Sequence, residues 1–515
     1  MKTCLTAVSL AYALSMGCLH AELKIPAIIG DHMVLQQKQA DPIWGWDTPG
    51  KTITVAFGHQ TQSTVTGPDG KWLVKLDAEP ANDQPQSLKI SDGSQSLEIK
   101  DVLVGEVWMC SGQSNMGFVL RDDWNGDLEV AGADITGLRL IYVPHLGTQE
   151  LQDNFKSAWK LSSPEAAARF TAVGFFYGRY LHQILHVPVG LIDNSWGGSA
   201  AEAWVRRSSL ESDPRFADLM ARTVKNEAYQ QSAQAKLDYT NALAKYNAEA
   251  AADRVAKRPV GRAPQAPADW LAGNARPGNI FNGVVNPTRG FGIKGVIWYQ
   301  GEANASRAKE YSSLFPFLIE QWRKEWNQGD FPFYWVQLAN YMKKVDQPGD
   351  SPWAELREAQ TQTLALTNTG QAVIIDLGEG KNIHPKNKHD VAARLVRWAL
   401  VKDYGFKFPC RSPEFQNLTL KPEKVIVKFN CFGSSLRTFD VDEAMGFAVE
   451  GKDHTWHWAT GKLLGSDRVE LACPGVNEPV AVRYAWANNP VCNLTSLEGL
   501  PVTPFRTDKS ETASK

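Results

Sequence analysis

Charge of one sign is what this sequence most plainly lacks: 54 Lys and Arg against 56 Asp and Glu leave a formal net charge of -2 over 515 residues. That balance gives no electrostatic reason to expect nucleic acid or an acidic membrane as partner. Long apolar runs are missing too. Beyond the extreme N-terminus no segment reaches the roughly 20 apolar residues that a membrane-spanning helix needs, so no membrane span and a soluble mature protein are expected. The chain has no His-Glu-x-x-His pattern, no cysteine pair at zinc-like spacing, no glycine-rich dinucleotide fingerprint and no Walker-type loop. Neither a metal nor another cofactor is expected.

Tryptophan, by contrast, is plentiful, with 18 residues. Aromatic faces fill cores but also stack on sugar rings, a mild pointer toward carbohydrate. A hydrophobic content of 43% and a charged content of 21% are those of a globular protein. The length exceeds what one core organises, so two or three domains are expected.

Met1-Lys2-Thr3 is a basic start, Ala7 to Leu19 an apolar run too short to cross a bilayer, and Ala21 a small residue before Glu22. These are the parts of a secretory signal peptide over residues 1–21, which predicts a secreted or periplasmic protein. A buried N-terminal helix is the bland alternative, and Ser15-Met16-Gly17 before Cys18 makes a poor lipid-attachment site. Export leaves Cys110, Cys410, Cys431, Cys473 and Cys492 in a disulfide-permissive compartment. Cys410 with Cys431 and Cys473 with Cys492 are plausible pairs, and Cys110 is the buried odd one out.

Residues 22–104 read as a β domain: Thr52–Phe57 and Trp72–Leu76 are short β-rich runs, and Pro68-Asp69-Gly70 and Ser91-Asp92-Gly93 are turns. Over residues 105–407 the pattern changes to apolar strands alternating with helices. The strands are Val107–Cys110, Val187–Ile192, Gly295–Tyr299, Phe333–Gln337 and Ala372–Asp376. This alternation predicts an α/β domain whose parallel sheet is covered on both faces. A helical insertion with a Pro-rich linker occupies about 213–267. Residues 408–506 return to short strands, a C-terminal β domain.

Ligands of open α/β sheets bind beyond the C-terminal ends of the strands, and four such loops carry polar residues. Ser114, after Gly112-Gln113, can present a hydroxyl at the head of a helix, where free N–H groups stabilise negative charge; alone it is more simply an N-cap. Trp196-Gly197-Gly198 lets backbone N–H groups approach a ligand. Gln300, Glu302 and Asn304 bring amides and a carboxylate to a third strand end. His384, after the Ile-rich strand and before a helix, supplies the base a serine nucleophile needs.

Ser111-Gly112-Gln113-Ser114-Asn115-Met116, Trp196-Gly197-Gly198, Trp298-Tyr299-Gln300-Gly301-Glu302-x-Asn304 and Ile383-His384-Pro385-x-Asn387-Lys388 together resemble the sialate O-acetylesterase family of the SGNH hydrolases. Ile29-Gly30-Asp31-His32-Met33-Val34-Leu35-Gln36 extends the resemblance toward the N-terminus. It implies a flavodoxin-like three-layer domain with flanking β-sandwich-like domains. It also implies hydrolysis of O-acetyl esters on sialic acid or related glycans, with Ser114 as nucleophile and His384 as base. The implied oxyanion hole comprises Ser114 N–H, the Gly197-Gly198 region and Asn304, with Gln300 and Gln113 beside the substrate.

Two departures from the family pattern stand out. Lys381 occupies the position three before the His where many SGNH enzymes have Asp. Glu302 is then the candidate third member, ahead of Asp376 and Glu379, and a Ser–His dyad is the alternative. Gly117 and Ala303 stand where Glu and Ser are more usual, a difference expected to tune substrate contacts. Trp196, Trp204 and Tyr299 are the aromatics expected near the sugar. Acetylated xylan or another plant polysaccharide is an alternative substrate, and a non-catalytic glycan-binding protein an alternative of another class.

Overall fold

A strand covered on both faces must be apolar throughout, and Val189–Asp193, Gly295–Tyr299 and Phe333–Val336 are buried at every position. In the computed structural model, which describes residues 22–421 and 424–508, they belong to one sheet. Its strand order is Thr369–Ala372, Phe333–Val336, Gly295–Tyr299, Ser96–Gly112, Val189–Asp193, Ile135–Tyr142, Lys160–Ser162. All neighbours are parallel except the last pair. Alternation along the strands feeds two cores. Trp108, Cys110, Ile297 and Tyr299 join the helices Ala172–Leu185 and Lys388–Lys402 on one face. Val107, Met109, Val296 and Trp298 meet Ala308–Trp326 and Pro352–Gln362 on the other. The result is a three-layer, mixed α/β arrangement with its functional loops at one sheet edge.

The apolar run expected as a strand over Ala372–Asp376 behaves differently, because the strand starts at Thr369 and ends at Ala372. Ile374 packs under the sheet, while Val373 and Ile375 turn into the core of the C-terminal β region. The run is apolar because it bridges two cores.

The strand Ser96–Gly112 is 17 residues long. Its first half pairs antiparallel with Asn82–Ser91, and its second half is the centre of the parallel sheet. The expected junction at residues 104 and 105 thus falls inside one strand, and a single hydrophobic cluster runs from Ile43 and Val55 to Trp298 and Trp322. Beyond the sheet, the Ala- and Lys-rich insertion forms the helices Ala217–Gln231 and Ala233–Val255, the second capped by Ser232.

The C-terminal β region is an antiparallel sheet in the order Glu414–Lys421, Lys424–Asn430, Arg468–Ala472, Trp456–Leu464, Ala444–Gly451, Pro479–Tyr484, Phe505–Arg506. The two expected disulfides are absent: Cys410, Cys431, Cys473 and Cys492 are free thiols, as is Cys110. Cys431 sits in the C-terminal core whereas Cys410 packs against the core beneath the parallel sheet. Cys473 Sγ faces Trp458 O, and Cys492 lies against Gly446. The expected signal peptide, residues 1–21, lies outside the described residues, among which no helix is long and apolar enough to cross a membrane.

Candidate active site

Gly112 ends the central strand with φ +129°, and a Cβ there would lie 2.2 Å from the Tyr299 carbonyl oxygen. Only glycine lets the chain leave the sheet so close to its neighbour. Gln113 N then donates to Tyr299 O at 2.8 Å, and Gln113 O accepts from Met116 N at 2.9 Å and Gly117 N at 3.0 Å. These bonds make a tight turn, not the helix start expected at Ser114. The turn leaves Ser114 half-buried with its Oγ 2.8 Å from His384 Nε2. Gly197 abuts it, since a Cβ there would stand 3.3 Å from Ser114 Cβ. Trp196 N fastens this glycine loop to Gly112 O at 2.9 Å. Among the described residues no acceptor engages the N–H of Ser114 or of Gly197.

His384 is held by its backbone surroundings. Asn382 accepts from His384 N at 3.0 Å through Oδ1 and donates to His384 O at 2.9 Å through Nδ2. On either side, Asn115 Nδ2 donates to Ile383 O at 3.0 Å and Lys388 Nζ donates to Pro385 O at 2.7 Å. Lys388 Nζ also donates to Asn115 Oδ1 at 2.7 Å, so one buried bridge links the residue after Ser114 to both neighbours of His384. Sequence reasoning did not single out Asn115 or Lys388, although both letters lie within the motifs it used.

No carboxylate completes a triad among the described residues. Glu302 Oε1 accepts from Asn115 Nδ2 at 2.6 Å, and its Oε2 is enclosed without a partner. Asp376 is taken by Arg394, with both bonds at 2.6 Å, and Glu379 Oε1 accepts from Lys386 N at 2.9 Å. Glu302 faces the Asn115–Lys388 bridge instead of the imidazole. Burial pushes the Glu302 carboxyl up and drives Lys388 down to about 7, with Glu302, Asp123 and Glu379 pulling Lys388 the other way. Burial, then the Lys388 charge, holds His384 below the ordinary imidazole value.

Several other expected site residues are scaffold. Asn304 is held from three sides: one N–H of Nδ2 goes to Glu202 Oε2 at 2.9 Å, and Oδ1 accepts from Ala201 N at 2.9 Å and Gln300 Nε2 at 2.8 Å. It steadies the glycine loop through Ala201. Gln300 is fully buried, donating to Ser199 O and accepting from Tyr311. Gln113 Oε1 accepts from Gly301 N and Ala303 N, tying the first and third loops together. Gly198 is exposed at φ +72°.

Of the aromatics, Trp204 and Tyr299 are fully buried core residues, out of reach of a sugar. Trp196 is half-buried and stacks on His145 at 4.5 Å with the planes 4° apart, and His145 Nε2 is 2.8 Å from Ser195 O. Tyr142 meets the same imidazole edge-on, which extends the aromatic rim. Beyond the helical insertion the chain returns to this edge, where Asn274 Nδ2 donates to Gly197 O. A neutral imidazole on a serine hydroxyl, beside two unengaged N–H groups, is equipped for acyl transfer.

The comparisons agree with that chemistry. The family described as carbohydrate esterase, sialic acid-specific acetylesterase, matches residues 259–395. The chain is similar to a carbohydrate acetylesterase from Xanthomonas citri of known structure, with a TM-score of 0.80 and 34% identity, covering 95% of this chain and all of that one. Fold and relatives define a carboxylic ester hydrolase acting on carbohydrate. Sialate O-acetylesterase of Mus musculus is 31% identical over 94% of each chain, and that of Homo sapiens is 28% identical over 94% of this chain and 92% of its own. The chain belongs to the sialate O-acetylesterase family.

Proposed function

We propose that this protein is an exported SGNH-type esterase that removes O-acetyl groups from sialic acids through a Ser114–His384 dyad. The observation that carries the reading is the 2.8 Å contact between Ser114 Oγ and His384 Nε2 at the C-terminal edge of the parallel sheet. His384 Nε2 takes the hydroxyl proton as Ser114 Oγ attacks the acetyl carbonyl carbon. The negative charge on the carbonyl oxygen is met by the N–H groups of Ser114 and Gly197, each such donor being worth about 3 kcal/mol. The imidazolium then protonates the departing sugar oxygen, leaving an acetyl ester on Ser114. His384 next deprotonates a water that attacks this ester, and acetate leaves as the proton returns to Oγ.

Asn382, Asn115 and Lys388 hold the main chain of residues 383 to 385, which carries the imidazole toward Ser114. The stacked Trp196 and His145 offer the sugar an aromatic wall beside the glycine loop. Export rests on the basic start and apolar run of residues 1–21.

The test is acetate release from O-acetylated sialic acid and from acetyl-xylan, measured side by side with the wild type and Ser114→Ala. Faster turnover of the sialate, abolished by folded Ser114→Ala, is the expected result. Preference for acetyl-xylan would transfer the substrate to plant polysaccharide. Full activity in Ser114→Ala would overturn the mechanism.

A further inference from the structure

At the end of the sheet opposite Ser114 lies a groove of about 590 Å³ that the acyl-transfer reading does not use. One wall is the outer face of the strand pair Asp41–Trp46 and Lys71–Leu76. The register sets Trp44 against Leu73 and Trp46 against Lys71. Side chains alternate along this strand, so Trp44 and Trp46 share the open face, half-buried, while Leu73 beside them is 50% exposed. Residues two apart in a strand stand about 6.8 Å apart. Together the two indoles and Leu73 make an apolar strip along the groove, with Trp44 also packed against the core behind it.

The facing wall is mainly polar, with Pro287 and Trp326 its apolar members. It is built from Asn286–Gly290, just before the strand Gly295–Tyr299, and Trp326–Gln328, before Phe333–Val336. Both strands run from here toward the catalytic edge, roughly 17 Å away for five residues. Arg289 Nη1 and Glu325 Oε2 are 2.8 Å apart on this wall. Buried Asn286 donates Nδ2 to Gln152 O at 2.8 Å but leaves its Oδ1 without a partner. The ionisable lining is balanced, with Lys71, Lys75 and Arg289 against Asp69, Asp153 and Glu325.

We infer that this groove is a second, non-catalytic binding site for a neutral oligosaccharide, which anchors a glycan while the opposite sheet edge removes its acetyl groups. A pyranose chain has apolar ring faces that match the tryptophan strip and hydroxyls at its edges that match the amide and ion-paired wall. An apolar peptide or helix would leave the polar wall unanswered, and a strongly charged glycan would find no net opposite charge. The inference rests on carbohydrate as the substrate class, but not on the Ser114 chemistry.

The probes are xylohexaose, cellohexaose and an N-acetyllactosamine hexasaccharide, titrated calorimetrically into the full chain and into Trp44→Ala and Trp46→Ala. At least one probe is expected to bind, and each variant to weaken it by about tenfold, the weight of one stacking contact. Hydrolysis of a small soluble acetyl ester should stay within about twofold of wild type, since neither residue is near Ser114. Hydrogen-exchange protection on the wild type gives a readout that needs no variant, with slowing expected at residues 42–46 and 71–75. Failure of all three probes to bind at millimolar concentration, unchanged affinity in both folded variants, or protection confined to residues 195–198 would each overturn the site. Loss of esterase activity in Ser114→Ala with binding retained separates this site from the catalytic one.

Discussion

Replacing Lys388 by Met tests the idea that the base is tuned and held by a buried cation. The change deletes two hydrogen bonds, to Asn115 Oδ1 and Pro385 O, each 2.7 Å long. An orphaned buried acceptor costs about 1–3 kcal/mol. Burying the ammonium is itself costly, and Met relieves that cost. The net destabilisation should be about 1–3 kcal/mol, which leaves the protein folded.

The larger effect falls on His384. In the wild type the nearby positive charge adds to burial in disfavouring the imidazolium, so the base is neutral below the ordinary imidazole value. Without that charge the ring keeps its proton to higher pH. Attack requires the neutral ring, so the acid limb of kcat/KM must move to higher pH. The kcat on the plateau should also fall, by about 10- to 100-fold, because Pro385 O loses its anchor and general-base catalysis depends on orientation. The assay is the pH profile of para-nitrophenyl acetate hydrolysis, with thermal unfolding followed in parallel. A folded variant whose acid limb does not move and whose plateau kcat is undiminished would refute the reasoning. A lowered melting temperature alone would show only a structural bridge.

Glu302→Gln keeps an acceptor for Asn115 Nδ2 and has no bond to His384 to lose, so its kcat should fall by no more than about tenfold, against about 10⁴-fold for a true triad acid; steady-state kinetics separate the two. Gly197→Ala puts a methyl 3.3 Å from Ser114 Cβ and should crowd the acyl oxygen away from the free N–H groups, lowering kcat by about 10²-fold with thermal stability little changed. Wild-type turnover in that variant would remove Gly197 from the oxyanion site.

Much of the architecture was legible because it depends on local pattern. Val296 to Tyr299 is apolar with no alternation, and that alone argues for a strand covered on both faces. Ser114 and His384 are 270 residues apart, yet both follow strands at one sheet edge, which is why topology brings them to 2.8 Å. What failed depends on tertiary direction. Asn304 sits in the expected loop, but its bonds to Glu202, Ala201 and Gln300 are contacts that no spacing in the sequence announces. Trp204 and Tyr299 looked like sugar platforms, but their rings point into the cores beside the sheet. Cysteine spacing said nothing about which core each thiol enters, and so suggested pairs the fold does not form. Lys388 opens a helix, where a lysine is ordinarily solvated, and its burial follows only once Asn115 and Glu302 are folded over it.

If Ser114 and His384 act as proposed, the brace also explains how they do so without an orienting carboxylate. A triad acid does two things: it fixes the imidazole's direction and it stabilises the imidazolium. Here, for the first task, backbone bonds on residues 383, 384 and 385 hold the main chain that carries the ring, and among the described residues the ring's own bond is the one to Ser114 Oγ. The second is not transferred; the neighbouring cation works against it. The imidazolium formed during attack is therefore less stable than in a triad, and the proton passes on to the departing sugar oxygen more readily. Such a base suits an acetyl ester, which is more reactive than an amide and asks less of proton removal from the serine. The same bridge begins at Asn115, three residues past the long strand that also pairs in the N-terminal β region. One rigid element thereby sets the position of the nucleophile and, through Asn115, of the base it must meet.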